Sequence, residues 1–438
     1  MIHQKVVLPV LIVTLGLSLS ACRMEDAEKV TYDTACAKGT EPFKGTQFEL
    51  TPETMAAQLF NKNSSILLGI NRVHQSKDEL NIARASLLPS LNLSTLLYSS
   101  MSSTFTVSAV EVLFPFLVPG NWFKLKESKY LYRAQLKATK AIQLNTLASA
   151  LSVYSSILSD QSLLGVYQDE ITDLGKVAET VQNLYEAGLA SKADLDRARG
   201  TWQFSRIGFS KIDGLVSKEI ASLRHLLALP LTASWNINPM DIDPSDFEQR
   251  APAEIQEAAI SISPEMEQLR LLKKAAENNS WTQHFAFIQG SGVRSPAGAG
   301  SSIAFDNVNI GMNFNIGYAQ VPTIKLSEDR IKEIKLRINE LTYEIGEQSE
   351  YAFELVKEAK QRNQYALEAA ELMKSAYDRD VVRYQYGLVD LQTVLTSRSQ
   401  YRNAVLESLS AKTQLTLNRI VLHRLLGSDK FATLPSCQ

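Results

Sequence analysis

Two hydrophobic periods alternate along the chain. Val308, Ile310, Met312, Phe314, Ile316 and Tyr318 alternate with Asn309, Gly311, Asn313, Asn315, Gly317 and Ala319. One face is apolar and the other small or polar, the period of a strand. From Lys325 the period changes. Ile331, Ile334, Ile338, Leu341 and Ile345 step by three and four, the seam of a coiled-coil helix. That seam then narrows to Ala352, Ala359, Ala366 and Ala369, where backbones can approach closely. Lys325 to Arg383 contains no proline and only Gly346; at 1.5 Å per residue this predicts a helix about 90 Å long. A similar stretch runs from about Lys124 to Tyr185, with Gly165 and Gly175 as weak points. Ahead of it, Leu91–Tyr98 and Thr106–Phe116 read as strands flanking the polar turn Ser99–Ser103. The strand opposite Val308–Tyr318 is placed at about Phe285–Val293, with a Gly/Ser-rich loop over Arg294–Ser302. Phe114, Phe116 and Trp122 gather where strand gives way to helix, the position of an aromatic membrane girdle.

The pattern occurs twice. Tyr185-Glu186-Ala187-Gly188-Leu189 recurs as Tyr384-Gln385-Tyr386-Gly387-Leu388, and Leu223-Arg224-His225-Leu226-Leu227 as Leu422-His423-Arg424-Leu425-Leu426. Asn63-Ser64-Ser65 and Ile262-Ser263-Pro264-Glu265 open matching helical stretches. Three landmarks at one spacing indicate a tandem duplication. The first repeat spans 51–234, with a β-hairpin at about 90–117 and a helical-hairpin tip near 185–194. The second spans 253–427, with a β-hairpin at about 284–319 and a tip near 384–391. A proline- and aspartate-rich connector (235–252) joins them, an N-terminal extension (22–50) precedes them, and a tail (428–438) follows. Extension, connector and tail are expected to pack as an equatorial collar. The fold class is mainly α, with long antiparallel coiled-coil helices and two β-hairpins per chain.

Two physical constraints point to assembly. Two hairpins supply too few strands for a membrane barrel, and open sheet edges cannot sit in hydrocarbon. Helices of this length exceed any globular core and need lateral partners. The chain is therefore expected to be one segment of a tube.

Composition mainly excludes. Net charge is -2 with 21% charged residues, so no basic field favours nucleic acid. Beyond the N-terminus no run is expected to reach the roughly 20 uncharged apolar residues of a membrane helix. Residues 1–21 read as a lipoprotein signal peptide: Lys5, an apolar run over Val6–Leu19, then Leu19-Ser20-Ala21-Cys22. Cys22 is the expected lipid attachment site, and Arg23 after it favours outer-membrane sorting. Cys36 and Cys437 either bridge the two ends of the chain in an oxidising periplasm or remain free thiols.

The chain resembles the TolC-like outer-membrane efflux proteins, specifically their lipoprotein branch. The resemblance covers about Thr51 to Gly427. It is carried by Ala83-Arg84-Ala85-Ser86-Leu87-Leu88-Pro89-Ser90-Leu91 before the first strand, the two Tyr-x-x-Gly-Leu turns, Asp194, and the closing Leu-Leu-Gly. It implies a homotrimer whose chains share a 12-stranded outer-membrane barrel continued by a periplasmic α-barrel. It also implies partners: a periplasmic adaptor, an inner-membrane transporter and outer-membrane lipids. Asp194 and Tyr384 match a gate aspartate and its tyrosine partner in the family's best-studied member; alternatively, Asp194 simply starts a helix. Val389 stands where that member has a gate arginine, and Thr393 and Thr396 where it has an acidic pair, leaving Asp390 as the candidate for a displaced negative ring. Ile316–Gln320 also lacks the proline and paired glycines usual after the last strand. Gly188, Leu189, Gly387 and Leu388 become adaptor contacts, unless the leucines fold back on their own helices.

Catalytic chemistry is not legible. The five histidines never fall at ligand spacing, and no Cys-x-x-Cys, His-Glu-x-x-His or phosphate-cradling glycine loop occurs. Neither metal nor cofactor is expected, and no enzyme. The leading expectation is a passive exit duct of a tripartite efflux or type I secretion system. The alternative is a lipid-anchored periplasmic coiled-coil structural or adaptor protein without its own pore.

Overall fold

The computed structural model describes residues 47–96, 106–231, 234–238, 242, 244, 246–296 and 309–427. Cys22, Cys36 and Cys437, with the signal segment, lie outside the described residues. The first half runs β1 (Gln47–Leu50), α1 (Pro52–Lys62), α2 (Ser64–Ala85), β2 (Ser90–Leu96), β3 (Thr106–Leu113), α3 (Pro119–Glu186), α4 (Lys192–Leu226) and β4 (Ser234–Ile237). The second runs α5 (Pro252–Ile262), α6 (Pro264–His284), β5 (Ile288–Pro296), β6 (Asn309–Phe314), α7 (Gln320–Gln385) and α8 (Leu391–Leu426).

Local sequence explains the helix boundaries. Pro119, Pro252 and Pro264 open helices, where a missing N–H costs nothing. The Asn63 carboxamide caps α2 by accepting from Ser65 and Ile66 N–H (2.9 and 3.2 Å), while its own NH₂ donates to Leu226 O at the end of α4 (2.9 Å). The two long helices, 68 and 66 residues, differ little in length, as do their return helices of 35 and 36.

β2, β3, β5 and β6 form one antiparallel sheet in that order, so the two hairpins join edge to edge through β3 and β5. Within the described residues β2 and β6 each pair on one side only. Three boundaries differ from those read from the pattern. β6 ends at Phe314; Ile316 and Tyr318 are fully outside it and exposed, because strand alternation continues in sequence after the ladder partner Ile288 has been used. β5 extends to Pro296, three residues into the expected loop, because β3 supplies a second pairing edge. β3 stops at Leu113, and Pro115 turns the chain into a short 3₁₀ segment carrying Phe116.

A small parallel pairing of β1 with β4 ties the N-terminal extension to the connector. The Tyr154 hydroxyl of α3 lies 2.8 and 2.7 Å from the Leu50 and Asn238 carbonyl oxygens, fastening this pairing to the helices. Beneath it Leu50, Met55, Leu59, Ile66, Leu147, Ile157 and Leu223 are fully buried, each contributing roughly 2 kcal/mol. By length and composition α3 holds one stretch apolar enough to cross a bilayer, with mean hydropathy 1.2, contrary to the sequence expectation. The apolar side chains in its middle, Leu147, Leu151 and Ile157, are spent on this core. A matching core joins Ile255, Ala259 and Met266 to Ile345, Phe353, Val356, Leu422 and Leu426.

Candidate functional site: the helical-hairpin tips

Each long helix ends in the same turn. Gly188 N–H donates to Tyr185 O (3.0 Å) and Leu189 N–H to Leu184 O (2.8 Å); Gly387 and Leu388 repeat this onto Tyr384 and Arg383 (both 2.9 Å). This double bond pattern is a Schellman motif, whose penultimate residue must be left-handed. Gly188 and Gly387 supply φ of +72° and +69°, which costs an L side chain about 1 kcal/mol or more. A Schellman leucine commonly covers the residue five positions back. Here Leu189 is 77% and Leu388 69% exposed, with Tyr386 beside the second at 77%. The leucines do not fold back onto their own helices.

The return helices are capped differently. Ser191 caps α4: its hydroxyl accepts from Asp194 N–H (3.1 Å), and the Asp194 carboxylate accepts from Ser191 Oγ and N–H (2.6 and 3.4 Å). Arg197 lies 3.5 Å from the same carboxylate. Asp194 thus fills the helix-starting role left open as an alternative. Asp390 caps α8 itself, accepting from Thr393 N–H (2.9 Å) and its hydroxyl (2.5 Å). These two donors hold the Asp390 carboxyl below the usual carboxylate range, with the Arg197 charge adding a smaller effect. Arg197 of one hairpin thereby reaches both acidic caps.

Behind the tips, Leu174, Ala178, Val181, Leu195, Ala198, Leu391 and Leu395 form a shared core, against which Tyr384 and Trp202 pack. Burial, with the Asp194 charge adding to it, pushes the Tyr384 phenol above its usual 10. Asp194 and Tyr384 are therefore electrostatic neighbours within one chain, although the hydrogen bonds of Asp194 among described residues are local.

One cluster went unread in the sequence. Above the tips Arg402 meets Glu170 (3.2 Å) and Arg398 meets Asp173 (3.3 Å), with Glu170 and Arg398 only 2% and 4% exposed. The Arg398 guanidinium lies 5.2 Å from each of the stacked Tyr377 and Tyr401 rings. Burial raises the Glu170 pKa against the opposing pull of Arg402 and Arg398. The cluster pins α3 to α8 across 232 residues. The only signal was charge at spacings of three and four on otherwise small-residue seams, and such charges usually face solvent.

Residues 57–229 match the sequence profile of the family described as Outer membrane efflux protein. The toluene efflux pump outer membrane protein TtgC and the antibiotic efflux pump outer membrane protein ArpC, both of Pseudomonas putida, are 26% identical over 203 residues. That alignment takes in 46% of this chain and 40% of each relative, so the chain spans less than half the length of these relatives. In solved structures, CusC superposes with a TM-score of 0.73 at 15% identity, covering 89% of this chain and 94% of that one. The Campylobacter jejuni outer membrane channel CmeC gives 0.73 at 13% identity, covering 92% and 95%. The chain is similar to outer membrane efflux proteins over residues 57–229 and shares its overall fold with the CusC and CmeC channels. The matched relatives and structural neighbours are outer-membrane pump and channel proteins rather than enzymes.

Proposed function

We propose that the chain is the outer-membrane exit duct of a tripartite efflux or type I secretion system. Three copies would surround one pore, anchored by lipid at Cys22, and dock onto a periplasmic adaptor and an inner-membrane transporter that supplies the energy. The observation that carries this reading is the four-stranded sheet whose two outer edges are unpaired among the described residues, set on top of helices far longer than their own cores need. A bilayer cannot hydrate such edges, so β2 of one copy must pair with β6 of the next. Three copies contribute twelve strands, enough to close a barrel with no edge left.

At the other end the exposed Leu189 and Leu388 await an apolar partner, and the adaptor is assigned to them. Asp194, Tyr384 and Asp390 are assigned to the gate, with Arg197 joining them as the cation that offsets the missing arginine at Val389. Cys36 and Cys437 are proposed to close a disulfide between the N-terminal extension and the C-terminal tail. The mature protein in planar bilayers is expected to give discrete conductance steps, and crosslinking in detergent should trap a trimer. A monomer with no conductance would overturn the duct. Crosslinking from Leu388→Cys should capture an adaptor; capture only of other outer-membrane chains would overturn the docking assignment.

A further inference from the structure

We propose that the junction between sheet and helices carries a headgroup site for anionic phospholipid of the periplasmic leaflet, formed by Lys126 and Lys274 against an aromatic shelf of Phe123, Trp281 and Phe285. It rests on the membrane-spanning reading of the sheet. Phe123 of α3 stacks on Trp281 of α6 (5.9 Å, 21°) and on Phe285 (5.7 Å, 6°), yet Trp281 remains 53% exposed. Stacked rings left open to water are unfavourable, whereas an indole with an apolar body and a polar N–H belongs at a membrane boundary.

The shelf continues the apolar side of the sheet. Met312 and Phe314 share one face of β6 and are 47% and 60% exposed, and Phe287 stacks on Phe314 at 6.4 Å. Phe285 follows two residues nearer the helices. The apolar band therefore descends from strand to shelf without a polar gap.

Cations border it. Lys126 Nζ lies 5.5 Å from the Phe123 ring and Lys274 Nζ 5.8 Å from the Tyr130 ring, and neither forms an ion pair with a described residue. The neighbouring carboxylates are engaged elsewhere: Glu127 accepts from Asn279 (2.9 Å) and Glu277 meets Lys273 (3.7 Å). Lys126, Lys129, Arg133, Lys137 and Lys140 recur by three and four, so one face of α3 below the shelf is cationic. Within residues 119–140 the sole carboxylate is Glu127, set to the side of that face. An ammonium whose methylene stem lies on a ring can hold a phosphate while the ring meets glycerol and acyl carbons.

The test uses the full-length protein with phosphatidylcholine alone, or with phosphatidylcholine and phosphatidylglycerol in equal parts, at low salt. Native mass spectrometry counts retained lipid, and the unfolding temperature reports its effect. Wild type is expected to retain phosphatidylglycerol preferentially and to unfold at a higher temperature with it. Lys126→Gln/Lys274→Gln should lower that preference by about fivefold per cation, Lys126→Arg/Lys274→Arg should keep it, and Trp281→Ala should lose both lipids alike. Lys211→Gln/Lys218→Gln, which removes two cations from α4, should leave it unchanged. Equal retention of the two lipids by wild type, or an equal loss in the α4 control, would overturn the headgroup site. If wild type also gives no conductance in planar bilayers, the spanning reading fails and takes the site with it; conductance without lipid preference defeats the headgroup site alone.

Discussion

The two helical hairpins have nearly the same length and end in the same glycine turn, but they are held by different chemistry. The first hairpin seats large side chains: Tyr154 reaches the β1–β4 pairing, and Leu147, Leu151 and Ile157 fill the core around it. The second runs along Ala352, Ala359 and Ala366 and takes its fixation from charges on α8, with Arg419 on Glu248 (2.9 Å) at the equator and Arg398 and Arg402 on α3 nearer the tip. The tips differ in the same sense. Ser191 caps the first with Asp194 as its reciprocal partner; Asp390 caps the second alone. One scaffold length is thus reached with two emphases: an apolar anchor shared with the β1–β4 pairing in one hairpin, and an apolar core supplemented by ionic attachment to the first hairpin in the other. A small-residue seam lets helices slide, so the ionic contacts fix register where alanines cannot.

The sharpest way to break this contrast is Arg402→Ala. It strands the Glu170 carboxylate in the α3–α8 interface, and destabilisation of about 3 kcal/mol is expected in denaturant unfolding. Arg402→Ala with Glu170→Gln should recover much of it; failure to recover would mean that Arg402 acts by packing. Next come Gly188→Ala and Gly387→Ala, each expected to cost about 1 kcal/mol because the turn demands positive φ. Hydrogen exchange should show the Leu189 or Leu388 amide released in the mutated tip only. Ser191→Ala should cost a similar or smaller amount, about 1 kcal/mol, and fray the first turn of α4. An unchanged exchange rate there would deny the capping box any role.

The smallest effect concerns pH. Burial, with the Asp160 charge adding to it, raises Glu219 of α4 from 4.5 to about 7, and its Oε2 is buried without a hydrogen-bond partner among the described residues. The folded state therefore holds a proton that the unfolded chain releases, so stability should fall as pH rises from about 4.5 to about 7. Glu219→Gln should flatten that slope in a series of unfolding temperatures. An identical slope in the variant would place the proton elsewhere.

Long helices, strand pairs and the turn glycines were legible because each depends on neighbours in sequence. A three-four period, a two-residue alternation and a Gly-Leu pair after an apolar run state their own local geometry. The end of β6 was not legible, since alternation persists through Tyr318 while the ladder stops at Phe314 for want of a partner. The helix-starting role of Asp194 could be anticipated from its place in the chain, but its nearness to Tyr384 and the reach of Arg197 to Asp390 could not.

What the sequence determined by itself was therefore one-dimensional: which segments are helix or strand, how long they run, and where glycine must turn them. Tertiary structure alone decided that Glu170 and Asp173 find Arg398 and Arg402 from the far end of the chain, that β3 meets β5, and that Phe123, Trp281 and Phe285 stack into one shelf. Periodicity reports the face a residue occupies. It carries no information about which distant face will be packed against it, because that choice is made by burial summed over the whole molecule.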